Sequence, residues 1–387
     1  MLNIFFSADD NYVKFTSVLM NSIVNTIDLS KKNKDYLKKD IQEGFHFHIM
    51  SDFISENNLN DIRKLENKLN QIYPCVLSIH ILDDKEFSDY PKWRGNYLAY
   101  YRIKLADFVD ENTERCLYLD SDMLAMSDIR EVLSINIDDY IVAACLDGHN
   151  YKKFSRRYKS KNENKYYRFT RYNDYFNSGF LYINVKNWKK YHVEEKCIAF
   201  LNQYEVRFPD QDALNYSIDK VKKVPIRWNF MIGYLIGDLT TLGKHKDLFR
   251  CQNKNSILNC TRKEFYNNLK DVKLIHYTLD EKPWNIERFT FWDNNFNIID
   301  FKYNDIYLEF ASKTPYFGYY FDILKSKRRE NIHLSLIKSF AKFIKLKIEG
   351  EQFVSRKDYR KDYRKLRKMI VVSYILIFII LIISIAK

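Results

Sequence analysis

Leu117-Tyr118-Leu119-Asp120-Ser121-Asp122 is an apolar run that stops in two carboxylates with one small polar residue between them. From Cys116 to Leu119 the run has the length and neighbours of a buried strand. If the chain stays extended through Asp122, residues i and i+2 point to one side, and both carboxylates face one point beyond the sheet. Two uncompensated carboxylates there repel. A divalent cation held by oxygen ligands and carrying phosphates resolves that cost. Asp-Ser-Asp is also ordinary turn chemistry, so the motif has to be weighed with the rest of the chain.

Upstream, residues 2–8 read as a strand that delivers Asp9, Asp10 and Asn11 to a loop. Tyr12, Phe15, Leu19, Ile23 and Ile27 then recur at helical spacing. Phe45 to Ile49 alternates as a half-buried strand, which places His46 and His48 on a solvated face. Ile62, Leu65, Leu69 and Ile72 form an amphipathic helix, and Val76 to Leu82 a further strand. Strand, helix, strand, helix, strand is the rhythm of a mostly parallel, doubly wound sheet. In such sheets ligands bind beyond the strand carboxyl ends, where Asp9 and Asp120 both sit. A helix is predicted from Asn96 to Val109, interrupted by Arg102 and Lys104.

Downstream, Ile141 to Leu146 reads as a strand ending at Asp147. Residues 151–175 are basic and aromatic, with Lys152, Lys153, Arg156, Arg157, Lys159, Arg168 and Arg171 and little apolar periodicity. They read as a loop or short helices over the crevice, either a lid or a solvated insertion. Asn177-Ser178-Gly179 is a turn feeding a strand, and Trp188 to Tyr204 is helical. Pro209-Asp210-Gln211-Asp212 opens another helix, where first-turn acids are also plain capping chemistry. Val272 to Tyr277 is a strand carrying His276, followed by Lys282-Pro283-Trp284.

The chain has 387 residues, 46% of them hydrophobic, with only 9 glycines and 6 prolines, which excludes collagen-like and low-complexity classes. Its six cysteines include no Cys-X-X-Cys pair and several lie in apolar runs, as reduced core cysteines do. The N-terminus lacks a basic start and a long apolar run, so it does not read as a signal peptide. The net charge is +13, but residues 356–368 alone hold eight Lys or Arg against two Asp. The basic excess is partly a tail property, and no nucleic-acid partner is read from it.

Together these segments resemble retaining glycosyltransferase family 8, especially the bacterial lipopolysaccharide and lipooligosaccharide galactosyl- and glucosyltransferases. The marks are Phe6-Ser7-Ala8-Asp9-Asp10-Asn11-Tyr12, Tyr118 to Asp122 (the Asp-X-Asp, or DXD, motif), Phe176 to Gly179, Asp210-Gln211-Asp212, and His276-Tyr277 through Trp284. The resemblance implies an α/β, Rossmann-like GT-A fold with a mostly parallel central sheet over residues 1–290, and a UDP-hexose donor. It implies that Asp120, Asp122 and His276 bind Mn²⁺, an oxygen and imidazole set that suits that ion. Ala8, Asp9 and Asn11 would line the uridine pocket and Lys282 would contact the diphosphate. Arg102, Asp147, Asn177, Asp210 and Gln211 would surround the transferred hexose, with Gln211 nearest the anomeric carbon. Gln211, Asp210 and Asp212 are the candidate catalytic residues. Where the family has a glycine three residues after its motif histidine, this chain has Leu279. That departure implies weaker or differently posed donor binding, not loss of activity.

Beyond residue 290 the family signal fades into a basic helical region, 291–368. Residues 369–386 follow as an uncharged apolar run. Its 18 residues reach about 27 Å as a helix, near a thin bilayer core. The preceding basic cluster predicts a single-pass tail anchor with the catalytic body on the cytoplasmic face of a membrane, the bacterial inner membrane on this reading. The function expected is a Mn²⁺-dependent hexosyltransferase, moving galactose or glucose to a glycan or glycolipid acceptor. The alternatives are a membrane-tethered, non-catalytic glycan- or nucleotide-binding protein and a glycogenin-like enzyme that glucosylates itself.

Overall fold

The computed structural model describes residues 1–37, 39, 41–93, 95–147, 154–171, 175–206, 208–232, 262–278, 282–284, 291–292, 298–299 and 302–319. Strand β1 (Leu2–Ser7) leads into α1 (Val13–Asn25), and α2 (Asn33–Tyr36) precedes β2 (Phe45–Ser51). Helix α3 (Glu56–Asn70) returns the chain to β3 (Cys75–Ile81). The segment expected as one helix from Asn96 is a single turn, α4 (Leu98–Tyr101), continued as 3-10 turns over Arg102–Asp107. The Arg102 guanidinium takes the Ala99 carbonyl at 3.1 Å, the acceptor that an α-helix would offer to Ile103.

Next come β4 (Arg115–Leu119), β5 (Met123–Ala125) and β6 (Val142–Leu146). Residues 151–175, expected as loop or short helices, instead contain a hairpin, β7 (Phe154–Ser160) and β8 (Tyr166–Arg171). Its inner face is aromatic: Tyr158 meets Phe200 at 5.1 Å and Phe169 meets Tyr216 at 5.5 Å between ring centroids. Its outer face sets Arg157 opposite Arg168, both exposed. The period-two signal is confined to Arg157-Tyr158-Lys159 and Tyr167-Arg168-Phe169, where aromatic residues alternate with basic ones.

Strand β9 (Phe176–Asn184) is followed by α5 (Val185–Lys190) and α6 (Val193–Gln203), split at His192, whose φ of 52° is left-handed. Then come β10 (Tyr204–Glu205), α7 (Pro209–Ser217), β11 (Val221–Lys223), β12 (Phe230–Met231), α8 (Arg262–Lys270), β13 (Leu274–His276) and α9 (Lys302–Ser312).

The main sheet has the order β11-β6-β9-β4-β1-β2-β3. Its neighbours pair in parallel except around β9, which runs antiparallel to β4 and β6. Both faces are covered. Ile4, Phe6, Leu117 and Leu119 enter one core with α1 and α3, while Phe5, Cys116 and Tyr118 enter the other. A strand buried on both sides needs an unbroken apolar run, which is why these runs were readable. Cys75, Cys116, Cys145 and Cys197 are free and buried; Cys251 and Cys260 lie outside the described residues.

His46 and His48 do not sit on a solvated face. His48 is 2% exposed, stacked on Phe5 at 4.2 Å, and Phe108 covers its neighbour His80. The 3-10 segment and Phe108 close over that face. Arg130 is buried too. It pairs with Asp128 at 2.7 Å and donates to the Asp28 and Lys31 carbonyls, tying the loop after α1 to the body.

Among the described residues no helix is long and apolar enough to cross a membrane. Residues 320–387, with the basic stretch and the apolar run, lie outside the described residues, as do Leu279, Asp280 and Glu281.

Candidate active site

The acid pair converges by a turn, not by an extended chain. Strand β4 stops at Leu119, and Met123 N–H donates to the Asp120 carbonyl at 3.2 Å. Ser121 anchors the turn from inside: its hydroxyl donates to the Ser7 carbonyl and accepts from Thr16. Strand β5 then pairs antiparallel with β13, His276 opposite Met123, while Tyr277 N–H donates to the Asp122 carbonyl at 2.9 Å. Two short strands thus bring a histidine 154 residues beyond Asp122 onto the acid pair. Nε2 of His276 lies 3.0 Å from Asp122 Oδ1 and 3.5 Å from Asp120 Oδ2. One ligand atom from each of the three residues falls within 4.8 Å of the others.

This set fits a divalent cation. Two carboxylate oxygens and an imidazole nitrogen suit manganese-type ions. The other ring nitrogen, Nδ1, is 2.8 Å from the Asn229 side-chain oxygen, so Nε2 is the nitrogen available to a metal. The space around it is made by Gly179: a Cβ there would lie 2.5 Å from His276 Cε1 and 2.6 Å from Asp120 Oδ2. Burial alone would raise the Asp122 carboxyl, but the Lys282 ammonium foremost outweighs it and holds it well below the usual carboxylate range. Lys282 donates to Asp122 and to the Tyr277 carbonyl.

Arg102 links this cluster to α7. It is 6% exposed, lies over the Tyr118 ring, and reaches Asp120 at 2.8 Å and Asp210 at 3.2 Å. Asp210 also accepts from the Ser178 hydroxyl at 2.7 Å. Burial outweighs Arg102 and raises the Asp210 carboxyl above its ordinary range. Gln211 is bound on both ends of its amide. Its oxygen accepts from Asn177 and from Ser178 N–H, each at 3.1 Å, and its nitrogen donates to Asp147 at 3.1 Å. Asp212 is wholly buried, accepting from Tyr175 at 2.6 Å and from Phe208 N–H at 3.1 Å. Asp9 accepts from Asn11 N–H and Tyr12 N–H at the head of α1, with its other oxygen toward Asn96. Ala8 is buried beside it, its N–H on the Met50 carbonyl.

The structure therefore gathers Arg102, Asp120, Asp122, Asp147, Asn177, Asp210, Gln211, His276 and Lys282 into one contact network, with Ala8, Asp9 and Asn11 at the end of β1. Sequence reasoning missed Asn229, Ser178 and Tyr175, which complete that network. Ser178 was within a quoted motif; Asn229 follows Trp228 with no local signal.

A mostly parallel α/β sheet whose carboxyl ends gather these groups is a GT-A-like glycosyltransferase fold. The same fold is seen in a crystal structure of the galactosyltransferase LgtC in complex with donor and acceptor sugar analogs. That match has a TM-score of 0.54 at 20% identity and covers 81% of this chain and 96% of that one. Residues 3–287 match the family described as glycosyl transferase family 8, and the chain belongs to it. Among curated relatives, a putative glycosyltransferase of Haemophilus influenzae is 29% identical, covering 59% of this chain and 63% of its own. A lipopolysaccharide 1,2-glucosyltransferase of Escherichia coli is 26% identical over 73% of each.

Proposed function

We propose that this protein is a Mn²⁺-dependent, retaining hexosyltransferase that moves galactose or glucose from a UDP-sugar to a lipopolysaccharide or other membrane-associated glycan. The observation that carries the reading is the convergence of Asp120, Asp122 and His276 beside Lys282. Family membership and the names of the relatives supply the donor and acceptor classes. A divalent cation at the acid pair would offset the charge that grows on the departing diphosphate. Lys282, already on Asp122, is placed to share that charge. Ala8, Asp9 and Asn11 are assigned to the uridine, and Asp9 keeps one oxygen, the one toward Asn96, free of the α1 turn.

Arg102, Asp147, Asn177, Asp210 and Gln211 are assigned to the hexose, whose reacting carbon becomes oxocarbenium-like. The Gln211 oxygen already accepts two hydrogen bonds, which makes an amide that is a poor nucleophile poorer still. Asp212 is turned into the protein and spent on Tyr175 and Phe208. We therefore assign Gln211 and Asp210 to holding the sugar and stabilising its positive charge, Asp212 to supporting α7, and the reaction to front-face attack. The apolar run 369–386 and its basic approach are read as a membrane anchor, on sequence alone.

The test is a donor screen. UDP release from UDP-galactose, UDP-glucose and UDP-N-acetyl sugars is measured with Mn²⁺, with acceptor glycan present. One hexose donor is expected to turn over. Asp120→Asn and Asp122→Asn should each lower release by roughly 10²-fold or more, on the scale of losing a preorganised charge-stabilising group. Undiminished release after chelation of all metal would overturn the reading.

A further inference from the structure

Between His276 and Gln211 runs an unbroken line of side-chain amides. Nδ1 of His276 meets the Asn229 oxygen at 2.8 Å, and the Asn229 nitrogen donates to the Asn177 oxygen at 2.8 Å. The Asn177 nitrogen donates to the Gln211 oxygen at 3.1 Å, and the Gln211 nitrogen donates to Asp147. An amide can be turned end for end, so such a line ordinarily has two possible polarities. Here two backbone groups choose. Gly179 N–H points at the Asn177 oxygen at 3.0 Å and Ser178 N–H at the Gln211 oxygen at 3.1 Å. A backbone N–H only donates, so both oxygens are acceptors and both nitrogens donors. Asn229 must then give its N–H to Asn177 and show its oxygen to His276. That oxygen requires a proton on Nδ1. Asn229 is fully buried, so the wrong choice would leave polar groups mismatched in the interior.

We infer that Asn229 is a positioning residue. It holds His276 as the Nδ1–H tautomer, with Nε2 bare toward Asp120 and Asp122, and it joins the metal end of the site to Gln211 through one hydrogen-bond polarity set by β9. The inference rests on reading Asp120, Asp122 and His276 as metal ligands. It predicts that two near-isosteric substitutions diverge. Asn229→Asp keeps an acceptor for Nδ1–H and loses the donor to Asn177. Asn229→Leu loses both.

The experiment titrates Mn²⁺ into the full-length protein with UDP present, following free Mn²⁺ by electron paramagnetic resonance and melting temperature in parallel. Asn229→Leu should weaken Mn²⁺ binding about 10–100-fold, as losing the outer partner of a metal histidine does. Asn229→Asp should bind Mn²⁺ within about threefold of wild type, yet lose turnover, because its second carboxylate oxygen faces the Asn177 oxygen. Equal losses of metal affinity in both variants, or none in Asn229→Leu, would overturn the inference while wild-type binding kept the metal reading intact. Failure of the wild type to bind Mn²⁺ removes both. Should Asn229→Leu not fold, nitrogen-15 spectra of histidine-labelled wild type with Mg²⁺ and UDP decide. A proton on Nδ1 of His276 is expected, and the opposite tautomer refutes the assignment.

Discussion

At Gly179, β9 passes so close to His276 and Asp120 that the smallest side chain would overlap both. The contacts involved are a ring carbon and a carboxylate oxygen, and neither can retreat freely. Asp120 is held by Arg102, and His276 by Asn229. Gly179→Ala is therefore expected to spread the cluster while leaving the sheet paired. The expected result is a drop of about 10–100-fold in Mn²⁺ affinity, the scale of a disturbed metal histidine, with a far smaller change in melting temperature. Calorimetric Mn²⁺ titration of the two proteins measures it, and equal affinities would mean that His276 and Asp120 yield to the added methyl.

Strands β2 and β3 place three histidines in contact, with Phe108 over His80. His48 Nδ1 is 2.9 Å from His80 Nε2, and His46 lies 3.9 Å from His48 between ring centres. Burial, then His46 and His80, lower the His48 imidazole to about 2; burial first also lowers His46 and His80. The unfolded chain takes up these protons near pH 6.5. Below that pH acid thus favours the unfolded chain, and stability present above pH 6.5 is lost as pH falls. His48 alone should cost about 2 kcal/mol between pH 6.5 and 5. Urea unfolding at the two pH values, with His48→Leu as the control that flattens the difference, checks it.

The strands of the sheet show what the chain discloses unaided. Runs such as Ile4 to Phe6 and Cys116 to Leu119 are buried on both faces, and that signal is local, so the sheet was legible. The hairpin was not, because its alternation is aromatic against basic. The covering of His48 was not, because Phe108 arrives from outside the strand. The site's motifs were readable as types, whereas Asn229 takes its role from partners 52 and 47 positions away.

At the scale of the whole molecule, the body and the tail separate in sequence. The Arg130 lock and α9, whose Tyr303 carbonyl accepts from Tyr277, belong to the body. The apolar residues 369–386 follow the basic cluster at 356–368. On the proposed membrane-anchor reading, deleting residues 369–387 is expected to abolish binding to membranes without abolishing UDP-sugar hydrolysis. Sedimentation with vesicles containing anionic lipid reads it, and unchanged pelleting of the truncated protein would overturn the anchor reading.

The reversed direction of β9 has its own consequence. Because it enters the sheet where its neighbours leave, its first residues lie beside Asp120, and Asp120 N–H bonds the Gly179 carbonyl. A slip of one residue along that ladder would exchange faces for every side chain on the strand. Asn177 and Gly179 would move together, and both ends of the cleft would fail at once. Sites wired to a common rail cannot drift separately. Descendants of this chain that acquire new sugars are therefore expected to leave Asn177 to Gly179, at the start of β9, unchanged.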